Sequence, residues 1–419
     1  MRENYCKIFK RNGSEYMKYN IGLFNDSFPP TIDGVANTVY NYANIITKNG
    51  GNCTVVTPRF PNVIDDYDFD VVRYSSLPIS KKFDYRLGNI LPVKSLSILK
   101  EKNFDIIHVH APFVSSLVAN ELVGFSKKNI PVVFTYHTKF DVEFEKRMKL
   151  KPFKKISTDF VRKNINLADE VWVVSEGAAE SLRNIGYKGD YRVMRNGTDF
   201  KIGKSSEDKI KKLKMSLDIM PEEIVLLFVG RMMWYKNIRL ILKAIKRMPS
   251  DIKIKMVFVG DGSDRAAIEQ YAKQLNIYDK CCFAGAVYDR ERLRDYYSIG
   301  DLFLFPSTYD TSGLVVMEAA ATGLPSVLIK RSCASEGVYH NQNGFLCEEN
   351  SNSLKETILE AISDLDKLKQ IGINAQNELY CSWEDSVKAA CKRYEEIIEE
   401  HRIRRLQKSR RFRKWAKCN

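Results

Sequence analysis

Short apolar runs alternate with longer stretches in which apolar residues return every third or fourth position. Residues 20–24 form the first apolar run, and Asp33-Gly34 then opens a stretch with Val35, Val39, Tyr42 and Ile46 on one face. That spacing predicts an amphipathic helix, stopped at Asn49-Gly50-Gly51. Further strands are predicted at 53–57, 105–109, 132–136 and 170–174, with a helix at 114–128. The polar stretch 201–212 reads as a connection, after which the pattern restarts. Strands are predicted at 224–229, 255–259, 281–284, 301–305 and 326–329, with helices at 237–247 and 264–275. Apolar strands alternating with helices predict an α/β chain built on doubly wound parallel sheets.

The length of 419 residues suits two such halves of similar size. The divisions read from the pattern are a loose extension at 1–16, a first domain at 17–200, a second at 201–382, a helix at 383–401 and a basic tail at 402–419. Two Rossmann-like domains facing across a cleft form the expected assembly, with the late helix crossing back onto the first. Ligands in such sheets lie beyond the carboxyl ends of the strands. No apolar run reaches the roughly 20 residues a membrane helix needs, and the first sixteen residues lack the apolar centre of a signal peptide. Met17 is an alternative start.

Nine cysteines without a Cys-x-x-Cys pair read as free thiols in a reducing compartment, and the five scattered histidines form no metal set. Asp65-Asp-Tyr-Asp-Phe-Asp70 has Asp-x-Asp spacing, which divalent metals use, but it lies in a polar connecting segment. The net charge is +14, and nine of the Lys and Arg residues follow Glu400 with no acid among them. The body of the chain is therefore only mildly basic.

The chemistry centres on 305–325, where a strand gives way to Asp310-Thr-Ser312-Gly313-Leu314 and then to a helix holding Glu318. A helix N-terminus beside a glycine suits a phosphate, and carboxylates suit sugar hydroxyls. Alone, the pair reads more simply as a helix with one acid at its start and a solvated Glu. Gly230-Arg231 and Lys236 follow the first strand of the second half, where two cations suit a diphosphate. Gly260-Asp-Gly262 ends the next strand, and Gly285-Ala-Val287 the one after, placed to read a base edge. In the first half, Ser27 to Gly34 delivers a glycine to a helix start. His137 ends a strand among polar residues, and His108 and His110 end the strand before it. Each of these motifs also has an ordinary turn or core reading.

Taken in order, these motifs resemble glycosyltransferase family 4, over about residues 18–395. Asp310-x7-Glu318 is similar to the family's Glu-x7-Glu motif, with Asp310-Thr-Ser-Gly313 where one subgroup reads Asp-Thr-Phe-Gly. Asn25-Asp26-Ser-Phe-Pro-Pro, Asp33-Gly34-Val-Ala and Tyr136-His137-Thr-Lys-Phe140 are similar to the same subgroup, which includes lipid-directed glucosyl, mannosyl and sulfoquinovosyl transferases. The resemblance implies a GT-B fold and retaining, metal-independent transfer of a hexose from a nucleotide diphosphate sugar, with a UDP-sugar favoured and no cofactor. It implies that Glu318 holds the ribose and Asp310 the hexose, that Arg231 and Lys236 grip the diphosphate, and that Gly34 approaches it. It also implies that His137 touches the hexose near its C6 oxygen. Gly230, Gly262, Val287, Ser312, Gly313 and Leu314 complete the expected donor wall.

The acceptor expected is a membrane lipid such as diacylglycerol or a lipid-linked glycan. The alternatives are a soluble saccharide in polysaccharide synthesis, or an inactive sugar-nucleotide-binding module. Cations mixed with large apolar residues occur at 146–155 (Lys146 to Lys155) and at 402–417 (Arg402 to Lys417, with Phe412 and Trp415). Both suit an anionic membrane surface, and the second is expected as an irregular basic arm. A solvated tail is the plain alternative. No zinc-finger, helix-turn-helix or RNA-stacking signature supports a nucleic-acid partner. A cytoplasmic enzyme, peripheral on the inner face of the plasma membrane, is the expected setting.

Overall fold

The computed structural model describes residues 19–418 apart from 32, 81–82, 90–92, 127–128 and 149, so the 1–16 extension lies outside it. In chain order the first strands are β1 (Asn20–Phe24), β2 (Asn52–Pro58), β3 (Asp70–Tyr74), β4 (Ser76–Ser80), β5 (Phe83–Gly88), β6 (Ile106–Val109), β7 (Val132–Tyr136), β8 (Glu170–Val173) and β9 (Arg192–Val193). Their main sheet runs β3-β2-β1-β6-β7-β8-β9, and β4 and β5 form a separate antiparallel ribbon. The later strands are β10 (Ile224–Val229), β11 (Ile254–Val259), β12 (Cys281–Gly285), β13 (Leu302–Phe305), β14 (Ser326–Ile329) and β15 (Phe345–Cys347). Their sheet runs β12-β11-β10-β13-β14-β15, parallel throughout.

The described chain forms two compact units. Among the described residues, one comprises 19–135, 160–172 and 387–418, and the other Tyr136–Asp159 and Val173–Ser386. In the second unit the sheet reverses its strand order at β10, whose neighbours are β11 and β13. The loops leaving β10 and β13 therefore part at their carboxyl ends and open a crevice. Val225 to Phe228 and Leu302 to Leu304 are fully buried, as strands covered on both faces must be. In the first unit the corresponding reversal falls at β1, between β2 and β6.

Several elements depart from the sequence reading. The polar stretch after 201 contains a helix, Glu207–Ser216, because Ile210, Leu213 and Leu217 supply a thin apolar stripe among the charges. The helix that begins at Val114 ends at Phe125 instead of reaching 128. The final helix, Trp383–Cys418, runs on through the basic tail, so the irregular arm is corrected to a helix. Strong helix formers such as Arg, Lys, Leu and Gln fill that stretch, and it holds no Gly or Pro. Within the first unit this helix docks by Tyr394, stacked on Trp172 at 5.4 Å, and by Arg393, whose Nε donates to both Glu170 oxygens at 3.0 Å.

Candidate active site

At the carboxyl end of β10 the chain turns at Gly230 (φ 154°), a conformation that favours glycine. Arg231 follows, exposed, and a short 3-10 turn, Trp234–Lys236, carries Lys236 inward to 6% exposure. From β13 the chain passes through 306–313 to the helix Leu314–Ala321. Lys236 Nζ donates to Asp310 Oδ1 at 2.6 Å, closing the crevice between the two strand ends. Asn237 Nδ2 donates to the Pro306 carbonyl at 3.0 Å and ties the same loops. The second Asp310 oxygen, Oδ2, is buried and has no hydrogen-bond partner among the described residues. A buried carboxylate oxygen left so is a costly feature that an incoming hydroxyl would relieve.

The residues around Asp310 are held from several sides within the same unit. Lys139 Nζ donates to the Thr308 carbonyl at 3.0 Å, and Ser175 Oγ to the Thr311 carbonyl at 2.6 Å. Thr311 Oγ1 donates to the His137 carbonyl at 2.8 Å, which brings the His137 segment to the loop. Tyr309 donates its hydroxyl to Glu143, and Lys146 Nζ sits 4.0 Å from the Tyr309 ring centre and 5.0 Å from that of Tyr235. Burial, together with the charge of Lys236, pulls the Lys146 pKa down. Gly313 (φ 57°) then starts the helix, and a Cβ there would lie 3.0 Å from Ala334 Cα, so both backbone and space favour glycine.

His137 is 8% exposed, and burial lowers its pKa to about 3, so its ring is neutral at ordinary pH. Glu318, on the buried face of its helix, is also 8% exposed and is not the solvated Glu of the plain reading. Its Oε1 accepts from Arg290 Nη2 at 2.6 Å and its Oε2 from the Tyr297 hydroxyl at 2.7 Å. Arg290 also forks onto Asp199 and stacks 4.4 Å from the Phe200 ring centre. The sequence reading missed Arg290, Tyr297 and Asp199. One signal was there: Arg290 is the first residue of the helix Arg290–Ile299, where the helix dipole disfavours a cation without an acidic partner.

The model of the family described as Glycosyltransferase Family 4 matches residues 32–201, and that described as Glycosyl transferases group 1 matches 209–378. Over 318 residues the chain is 30% identical to the alpha-monoglucosyldiacylglycerol synthase of Streptococcus pneumoniae, covering 73% of this chain and 70% of that protein. This chain belongs to glycosyltransferase family 4. The alpha-monoglucosyldiacylglycerol synthase of Acholeplasma laidlawii is 25% identical over 81% of this chain and 87% of its own length. The structure of HepE from Anabaena in complex with UDP and glucose superposes with a TM-score of 0.71 at 20% identity, covering 89% of this chain and 98% of that one. The fold is GT-B.

Elsewhere in this family 4 glycosyltransferase several glycines have a packing or capping context of their own. A Cβ on Gly260 would meet the Gly230 carbonyl oxygen at 2.0 Å, and one on Gly262 the Met232 carbonyl oxygen at 2.5 Å. These glycines admit the chain's own backbone, which gives Gly262 a packing role. At Gly34 nothing lies within 4 Å of an added Cβ, but Asp33 takes the amides of Val35 and Ala36 at 2.8 and 2.7 Å. The helix start is thus capped by its own aspartate, which leaves those two amides less suited to a phosphate. Val287 lies half-buried against the core in the loop after β12, and Ser312 Oγ accepts from Asn196 at 3.5 Å. Leu314, half-buried, begins the Glu318 helix.

The other strand-end histidines belong to the core of the first unit. His108 is fully buried, with Nδ1 2.5 Å from the Tyr394 hydroxyl and Nε2 2.6 Å from Thr135 Oγ1, and the His110 ring lies tilted against it at 3.9 Å. Asp26 accepts from the Ser115 amide and hydroxyl and from Tyr74, which makes it a cap for the helix Val114–Phe125, and burial raises its pKa to about 6. In the Asp65 to Asp70 stretch, Asp65 pairs with Arg73 at 2.8 Å and Asp70 with Lys102 at 2.5 Å. Their carboxylates are thereby engaged by cations.

Proposed function

We propose that this glycosyltransferase moves a hexose from a nucleoside diphosphate sugar, a UDP-sugar first, to a membrane lipid such as diacylglycerol, with retention at C1. The observation that carries the reading is the Lys236–Asp310 pair at the β10/β13 crevice, with its unpartnered carboxylate oxygen beside the Glu318 helix. A donor diphosphate would draw Lys236 and exposed Arg231 onto its oxygens and release Asp310 to a hexose hydroxyl. Neutral His137 suits a hydrogen bond to the hexose better than a charge effect. Glu318 is the ligand for the ribose, and Ser312, Gly313 and Leu314 bring the helix N-terminus toward the phosphates.

Stabilisation of the departing diphosphate supplies most of the rate enhancement. As the C1–phosphate oxygen bond breaks, C1 gains oxocarbenium character and the acceptor hydroxyl attacks from the same face. The acceptor proton passes to the leaving phosphate oxygen. Two protein cations carry the phosphate charge, so turnover is expected to persist in a chelator. The names of the two diacylglycerol-directed relatives support a lipid acceptor. Exposed Leu150, Phe153 and Ile156, interleaved with exposed Lys151 and Lys155, support docking at an anionic cytoplasmic membrane face.

A donor screen with UDP-, GDP- and ADP-sugars, a diacylglycerol-containing lipid extract and mass spectrometry tests the proposal. A hexosyl lipid whose new linkage has the donor's anomeric configuration is the expected product. Transfer to soluble saccharides alone would overturn the acceptor, and an inverted linkage would overturn retention.

A further inference from the structure

The Glu318 side chain is unusual among the site's groups in having both oxygens already engaged by neighbours. Arg290 and Tyr297 stand seven positions apart on the helix Arg290–Ile299, two turns along one face, and reach one Glu318 oxygen each at 2.6 and 2.7 Å. Tyr297 is fully buried, so its hydroxyl has little freedom to turn elsewhere. Arg290 is itself held. Its Nε donates to the two Asp199 oxygens at 3.1 and 2.9 Å, and its guanidinium lies over Phe200, which is 3% exposed. The carboxylate is therefore held by two donors, one set by a second acid and an aromatic ring and the other by burial.

An ionised carboxylate has about four lone-pair sites, and the clamp uses one on each oxygen. One acceptor position remains on each oxygen, which matches a pair of adjacent hydroxyls in number. Arg290 carries one positive charge against the two carboxylates of Glu318 and Asp199, so it lessens the negative charge of the cluster without cancelling it. We propose that Arg290 and Tyr297 are positioning residues that orient Glu318 toward the cis-diol of a ribonucleotide and so make the enzyme select ribo- over deoxyribonucleoside diphosphates. This rests on the assignment of Glu318 to the ribose. Asp199 and Phe200 act one step further out, by steadying Arg290.

The test uses the full chain and compares dissociation constants, by calorimetry, for UDP, GDP and ADP against their 2′-deoxy counterparts. The wild type is expected to prefer the ribonucleotide by about tenfold or more, as loss of a hydrogen bond to a charged group entails. Glu318→Ala is expected to erase that preference. Tyr297→Phe and Arg290→Gln should each cut it severalfold, with Arg290→Lys in between, while melting curves confirm that each variant folds. If Glu318→Ala removes the preference but Tyr297→Phe and Arg290→Gln keep the wild-type ratio, the positioning role is overturned and the ribose assignment stands. If Glu318→Ala itself leaves the ratio unchanged, or no ribonucleotide is preferred by the wild type, the ribose assignment fails and the proposal with it.

Discussion

Lys236 and Asp310, 74 residues apart in sequence, form a 2.6 Å ion pair in which the lysine side chain is 8% exposed and the aspartate 26%. Each is the principal ionic partner of the other, so removing Lys236 does two things. It takes away a cation for the departing diphosphate, and it strands a half-buried carboxylate. Lys236→Ala is expected to lower kcat by about 10²- to 10³-fold, the usual cost of losing a charge-stabilising donor. Breaking a buried pair from one side costs about 3–5 kcal/mol, and the exposure of Asp310 should bring the stability loss below that range. Steady-state kinetics and urea titration measure the two effects separately, and wild-type turnover would remove Lys236 from the phosphate role.

His137 gives a signed pH dependence. Its pKa falls from 6.5 to about 3 on burial, so between those values the unfolded chain binds a proton that the folded chain does not. Stability therefore drops as pH falls from 6.5 toward 3 and this contribution levels off below. The folded-state ring stays neutral over the same window, so His137 should add no pKa near 6.5 to the rate profile. In His137→Asn the acid limb of denaturant stability should be shallower than in the wild type. An equally steep limb would show that the ring titrates normally in the folded protein.

Lys146 anchors the Asp310 loop through the Tyr309 and Tyr235 rings. A cation over an aromatic ring at a partly exposed site contributes about 0.5–1 kcal/mol, so Lys146→Met should cost little stability. Loss of the anchor should instead loosen the loop that carries Asp310. The expected result is a severalfold higher KM for the donor sugar with nucleoside diphosphate affinity nearly unchanged. Equal weakening of both would place Lys146 on the phosphates instead.

The exposed triplet Leu150, Phe153 and Ile156 predicts membrane binding with two components. Full-length protein should sediment with phosphatidylglycerol vesicles and much less with phosphatidylcholine ones. Added salt should weaken the binding, since each cation near an anionic surface contributes roughly 1 kcal/mol. Phe153→Ser with Ile156→Ser should reduce binding at every salt concentration while leaving turnover on a short-chain soluble acceptor intact. Unchanged sedimentation of that variant would move the contact away from this segment.

Much of the architecture could be read locally. β7, β10 and β14 begin and end where their apolar runs do, and Asp33 caps the first helix at the predicted place. Gly313 precedes the Glu318 helix as the glycine signal indicated, and Gly323 (φ 69°) follows its end. Weakly apolar elements escaped. β3 is short and interrupted by Asp70 and Arg73, the helix Glu207–Ser216 carries few apolar residues, and the basic tail reads as an irregular arm because its apolar residues do not share a face.

The sequence by itself determined the alternation of strands and helices and the chemical groups at the strand ends. Those depend on hydrophobic period, turn residues and residue type, all local properties. Which groups do chemistry and which hold the fold was decided by tertiary structure. His108 and His137 end adjacent strands in similar company, yet one is spent on Tyr394 and Thr135 while the other lies against the Asp310 loop. Arg290 and Glu318, 28 residues apart, meet because two helices pack side by side on one sheet. No short-range pattern encodes such a pairing, because it arises only when the sheet's strand order brings distant loops and helices to the same end.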